Sequence, residues 1–163
     1  MKIEILCQKG IKVDNEFIMF GDTIDVANNI LGKPETFNNT DFFYEDSSIA
    51  IYLENGVIDE IELSPEPNQN IEVYIDDLEI FKCERETFYD FLIKKNNAPF
   101  ERDSVGTITA ANLCLAFGED ITQEDIDEMI ADAKADGIYE EMKETIDTDI
   151  YRLHHLDSIC LSH

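Results

Sequence analysis

Residues 48–54 and 57–63 are two extended apolar-rich runs separated only by Asn55-Gly56. Both residues of that dipeptide tolerate the positive φ angles that a two-residue hairpin turn requires. The pair therefore predicts two antiparallel strands in fixed register, the clearest local signal in the chain. Alternation places Ile49, Ile51 and Leu53 on one face of the first strand. It places Val57, Ile61 and Leu63 on one face of the second, with Asp59 interrupting that face and Glu60 and Glu62 opposite it.

Other segments extend the same logic. Residues 2–7 alternate as a strand, with Ile3, Ile5 and Cys7 on one side. A short strand over Phe17 to Phe20 ends at Gly21. Asp22 or Thr23 then caps a helix carrying Ile24, Ala27, Ile30 and Leu31, which Gly32 and Pro34 terminate. Ile71, Val73 and Ile75 alternate as a further strand. Residues 84–95 read as a helix with Phe88, Phe91, Leu92 and Lys95 on one stripe. Gly106 to Ala110 and Asn112 to Phe117 are expected as strands, followed by a helix capped at Thr122 and bearing Ile126, Met129, Ile130 and Ala133 at helical spacing. A second acidic helix runs to about Tyr151, and Leu156 to Leu161 forms a last strand. This mixture predicts an α+β fold, with a largely antiparallel sheet and helices packed against it. At 163 residues the chain makes one domain, or two coupled halves at 1–98 and 99–163.

Charge narrows the function. There are 37 acidic and 12 basic side chains, a net charge of −25. Such a surface repels phosphates, which excludes ordinary nucleic-acid binding, and it speeds encounter with cationic partners. The charge is concentrated: residues 119–149 hold thirteen acids and two lysines. Glu124, Asp125, Asp127, Glu128, Asp132, Glu140 and Glu141 lie on the expected outer faces of the two acidic helices. They form one candidate binding surface for a basic protein. Asp59, Glu60 and Glu62 on the hairpin form a second.

No metal site and no cofactor is expected. Cys7, Cys83, Cys114 and Cys160 are widely separated, so they read as reduced, buried thiols rather than a disulfide framework or a zinc site. No stretch is long and apolar enough to span a membrane, and Glu4 stands where a secretory leader would be apolar. The expected location is the cytoplasm. The chain has no Gly-rich phosphate loop, nucleophile elbow or HExxH motif. His154, His155 and His163 are the only histidines, and a Cys160–histidine pair has nothing but proximity in sequence to recommend it.

Residues 100–109 resemble an EF-hand loop, with Gly106 and Ile108 at the positions of that loop's glycine and isoleucine. An EF-hand-like regulatory protein is accordingly the alternative reading. The sequence departs from that loop at key calcium-ligand positions. Counted from Glu101, Val105 and Asn112 occupy the fifth and twelfth positions. In a second candidate loop from Asp132, Lys134 and Lys143 replace oxygen donors.

The order of elements resembles bacterial immunity proteins of contact-dependent growth inhibition and other polymorphic toxin systems. The resemblance rests on an initial strand, Phe20-Gly21-Asp22-Thr23 opening a helix, and Leu31-Gly32-Lys33-Pro34 closing it. Tyr44, the Asn55-Gly56 hairpin, the strand at Ile71 to Ile75 and a later strand within Asn112 to Asp120 continue it. The resemblance implies a dedicated inhibitor, not an enzyme. Such an antitoxin binds its cognate toxin domain, frequently a nuclease with a basic surface, and blocks the active site or the substrate-binding surface.

Overall fold

The computed structural model describes residues 1–104, 106–118 and 121–163. The chain opens with β1 (Lys2–Leu6), β2 (Gly10–Val13), β3 (Glu16–Met19) and helix α1 (Ile24–Leu31). Four strands follow: β4 (Thr36–Phe37), β5 (Asp41–Tyr44), β6 (Ile49–Glu54) and β7 (Val57–Leu63). Then come β8 (Glu72–Ile75), β9 (Leu78–Glu79) and α2 (Arg85–Asn96). The last third holds β10 (Glu101–Arg102), β11 (Ile108–Ala110), a 3-10 turn (Ala111–Leu113) and β12 (Leu115–Phe117). It closes with α3 (Gln123–Ala135), α4 (Tyr139–His154) and β13 (Ile159–Ser162).

The architecture is α+β, as the mixed periodicity predicts. One sheet has the order β3-β2-β1-β8-β9, and the other β10-β11-β12-β13-β7-β6-β5-β4. Among the described residues every pairing is antiparallel except β1 with β8. The apolar faces of both sheets, with Ala27 of α1 and Phe88 and Leu92 of α2, meet in one core. The pairing of β7 with β13 places residues from both sides of position 98 in a single sheet. Ile61 and Leu63 of β7 and Ile159 and Leu161 of β13 all lie at 0% exposure. Burying four such side chains contributes roughly 1.5–3 kcal/mol each.

The hairpin turns at Asn55 and Gly56, with φ of 53° and 85°, and pairs Glu54 with Val57. Its second strand departs from simple alternation. Tyr52 pairs with Glu60 but Leu53 pairs with Ile58, so Asp59 has no opposing residue. This bulge turns Ile58 into the core and leaves Val57 at 36% exposure. It also frees the Ile58 backbone, whose N–H donates to the Asp22 carbonyl at 2.8 Å. The Ile58 carbonyl accepts from the Gly21 N–H at 2.8 Å. Thus the acid that broke the expected apolar face marks where the hairpin is tied to the Gly21-Asp22 turn.

Several short strands depart from the sequence reading. β2, β4, β5, β9 and β10 lie where no strand was expected. The run Asn112 to Phe117 is not one strand: its first residues are the 3-10 turn, and Cys114 adopts a φ of 54°. Asn96 enforces this geometry from the end of α2. Its side-chain oxygen accepts from the Asn112 N–H at 3.0 Å, and its carbonyl accepts from the Asn112 side chain at 2.8 Å. The four cysteines are free but half-buried, not buried as expected. For Cys160 the cause is its place on the outward-facing side of β13, opposite Glu62 and beside Ala116.

Candidate partner-binding surface

Adjacent antiparallel strands can be joined by a turn of two residues. Here β12 and β13 are neighbours, yet the chain between them makes an excursion through α3 and α4. The two helices pack chiefly on each other, burying Ile126, Ala133 and Ile146 in a seam separate from the main core. Thr122 starts α3 with a capping box: its hydroxyl oxygen accepts from the Asp125 N–H at 3.2 Å, and the Asp125 carboxylate accepts from the Thr122 N–H at 2.8 Å. The Thr122 hydroxyl also donates to that carboxylate at 2.5 Å, and this bond foremost, with the one from the Thr122 N–H, holds the Asp125 carboxyl below its ordinary value. Gly137, with φ of 75°, turns the chain between the helices.

All seven acids expected on this hairpin are exposed: Glu124, Asp125, Asp127, Glu128 and Asp132 on α3, and Glu140 and Glu141 on α4. They occupy the faces that the periodicity assigned to solvent. The hairpin's two lysines are engaged elsewhere. Lys134 sits 5.2 Å from the centre of the Tyr139 ring, and Lys143 pairs with Asp147 at 2.9 Å. Among the described residues no salt bridge compensates Glu124, Glu128, Asp132, Glu140 or Glu141. Glu119 and Asp120, which also belong to the acidic run, lie outside the described residues.

The second candidate set is placed differently. Asp59, Glu60 and Glu62 are on β7 and are half-buried rather than projecting. Glu62 accepts from the Tyr52 hydroxyl at 3.0 Å. Burial, with the Glu62, Glu60 and Asp41 carboxylates, pushes the Tyr52 phenol far up. Burial and the neighbouring Glu60 likewise push the Cys160 thiol up to about 12. A thiol held in its neutral form beside carboxylates is the opposite of an activated nucleophile. His155 instead stacks on Tyr151, with ring centres 3.9 Å apart.

The EF-hand frame is absent from the described structure. Glu101 and Arg102 pair antiparallel with Thr109 and Ile108, so the first candidate loop is a β-hairpin. Val105, at its fifth position, lies outside the described residues. The second candidate loop would begin at Asp132, inside α3. Among the described residues no group of three or more His, Cys, Asp or Glu side chains is arranged to hold a metal ion. Nor is any helix there long and apolar enough to cross a membrane.

The sequence reading missed the junction that fixes α4 to the body. The Arg85 guanidinium donates to the carbonyls of Arg152 and His155 at the C-terminal end of α4, the latter at 3.0 Å. Arg152 pairs with Asp157 at 2.9 Å and with Glu66 at 3.3 Å. The Tyr151 hydroxyl donates to the Phe81 carbonyl at 2.9 Å. A cavity of about 320 Å³ lies beside these residues and is also lined by Glu79 and Lys82. The only sequence cue was an isolated arginine near each helix end.

The Glu79 carboxylate oxygens are shielded from solvent without a well-formed hydrogen bond. Burial raises this carboxyl above its usual value of 4.5, although Lys82 and the Val73 and Lys82 amides oppose the shift electrostatically. The folded protein therefore binds this proton more tightly than the unfolded chain. Its effect on stability is most favourable below the unfolded value and declines as pH rises through the folded one. The expected result is that Glu79→Gln raises the melting temperature relative to the parent at pH 7, with a smaller gain at pH 4. Paired thermal scans at the two pH values check this; an equal gain at both would assign the effect to packing.

The chain matches no known family model, no curated protein and no solved structure.

Proposed function

We propose that this protein is an immunity protein: it binds a cognate toxin domain that carries a basic surface and neutralises it by covering the active site or substrate-binding surface. The observation that carries this reading is the α3–α4 excursion, a hairpin on which the exposed Glu124, Glu128, Asp132, Glu140 and Glu141 have no salt bridge among the described residues. A nuclease suits the role of toxin best, because its substrate surface must be positive to hold phosphates. The inhibitor acts by stoichiometric binding in the cytoplasm, without turnover. Opposite potentials accelerate encounter and select the partner, while a few desolvated contacts set the lifetime of the complex. The pattern of Gly/Pro punctuation and apolar alternation on which the resemblance to immunity proteins rests adds support.

The test uses the product of the adjacent upstream gene, assayed for a toxic activity. Equimolar addition of the full chain should abolish its activity and yield a complex stable to gel filtration. Undiminished activity at tenfold excess, or turnover of a substrate by the isolated chain, would overturn the proposal.

A further inference from the structure

The acidic hairpin carries an apolar groove. Met129 and Ala133 of α3, with Met142 of α4 and Ile138 just before it, line a depression of about 400 Å³. Ile138 is 37% exposed, and both methionines are only half-buried. Asp125, Glu128, Asp132 and Asp136 stand along its α3 side. Asp125 serves the capping box, but among the described residues no salt bridge neutralises the other three.

We propose that this groove docks a basic amphipathic helix of the partner, with an apolar side chain seated between Met129 and Met142 and lysines or arginines against the α3 carboxylates. The inference rests on the basic partner proposed above and adds the form of its contact. Three features select that form. The wall is negative and the floor apolar, so neither a wholly charged nor a wholly apolar segment is complementary. Methionine adapts its shape to an incoming side chain, which suits a docking floor better than a rigid β-branched residue. The carboxylates recur every three or four residues along α3, a row of about 16 Å at 1.5 Å per residue. A helix lying alongside presents cations at the same interval, whereas a strand repeats on one face every two residues, at about 6.8 Å.

The experiment uses the full chain with its methionines labelled at the methyl carbon. The chain has four: Met1, Met19, Met129 and Met142. The probe is a synthetic helical peptide of about 18 residues with leucines on one face and lysines on the other. Saturable one-to-one shifts of the Met129 and Met142 methyls, with Met1 and Met19 unmoved, are expected. Replacing the peptide's leucines by serine should weaken binding about tenfold or more, because the apolar anchor is lost. Met142→Gln, and separately the triple change of Glu128, Asp132 and Asp136 to their amides, should each weaken the leucine–lysine peptide by a similar factor. The methyl map and the peptide comparison need only the unaltered chain, so they decide even where a variant is destabilised. Equal affinity for the serine peptide, or shifts spread over all four methyls, would overturn the groove. Toxin inhibition without peptide docking would reject the groove and leave the inhibitor reading standing. Peptide docking without toxin inhibition would do the reverse.

Discussion

Charge reversal at Glu128, Asp132, Glu141 and Glu144 should slow capture of a basic toxin domain by about two orders of magnitude at low salt. These side chains are exposed and belong to the two helices of the excursion. Each change to lysine removes one negative charge and adds a positive one where the chain's acidity is most concentrated. Encounter between charged proteins is governed by the field at distances beyond contact, so the loss appears in the association rate. Screening sets the second half of the expectation. The Debye length falls from about 10 Å at 0.1 M salt to about 3 Å at 1 M, so parent and variant rates should converge at high salt. Folding should be little affected, since exposed substitutions usually change stability by less than about 0.5 kcal/mol. Glu141 adds a modest cost, because a lysine in the first turn of α4 opposes the helix dipole by about 0.3–1 kcal/mol. Stopped-flow association across a salt series is the measurement. An unchanged rate at low salt would mean that this hairpin does not meet the partner.

Two surfaces were in competition on sequence grounds, and the fold separates them. On α3, the carboxylates project to solvent and, among the described residues, form no salt bridge. On β7, the flanking strands draw Glu60 and Glu62 against Tyr52 and Cys160, and Asp59 is half-buried at the bulge. Half-buried acids facing neutral phenol and thiol groups do not present a field outward as effectively as an exposed helix row. The bulge also gives Asp59 a backbone task, since its carbonyl accepts from the His163 N–H at 3.2 Å.

The parts of the fold legible in sequence are those in which local chemistry and tertiary environment ask for the same thing. Asn55-Gly56 satisfies a positive-φ turn and also the pairing of two apolar strands. Thr122 and Asp125 close a capping box with each other, and Ile126 and Ala133 follow the helix period into the seam. The solvent placement of the α3 and α4 acids followed from the same period. The bulge was illegible because its reason lies 36 positions away, at the Asp22 carbonyl that receives the Ile58 N–H. The methionine groove was equally hidden: helix periodicity groups Met129 with Ile126, but only the placement of α4 decides that Met129 faces an open depression. Glu79 gave no warning because its shielding depends on the packing around β9. β2 offers only Gly10-Ile11-Lys12-Val13, too short a pattern to register against the polar residues around it.

That overlooked strand contains a backbone position that admits no side chain. Gly10→Ala should destabilise the protein by about 3 kcal/mol or more, combining strain at positive φ with overpacking. Gly10 has a φ of 132°, and a Cβ built there would lie 2.2 Å from the Ile18 carbonyl oxygen and 2.9 Å from the Met19 Cα. Both neighbours are main chain of β3, so no side-chain rotation can relieve the contact. Relief requires β3 to move away, although Gly10 pairs with Met19 and Ile11 with Ile18. Ile11 and Ile18 are both at 0% exposure in the core, so that movement also opens apolar packing. The appropriate comparison is Gly32→Ala. Gly32 has a φ of 87°, but nothing lies within 4 Å of its would-be Cβ. With its ψ of −163° it lies in a region used essentially by glycine alone, so an alanine there carries the backbone cost without a steric contact, about 1–3 kcal/mol. Urea unfolding should therefore rank the parent above Gly32→Ala, and Gly32→Ala well above Gly10→Ala. If the two variants lose equal stability, the close approach of β2 and β3 is not a constraint and the cost is conformational. If Gly10→Ala fails to fold at all, the same comparison holds in the milder setting of hydrogen exchange on the parent. There the Ile11 and Ile18 amides should exchange only through global unfolding, because the tight β2–β3 contact leaves no room for a local opening.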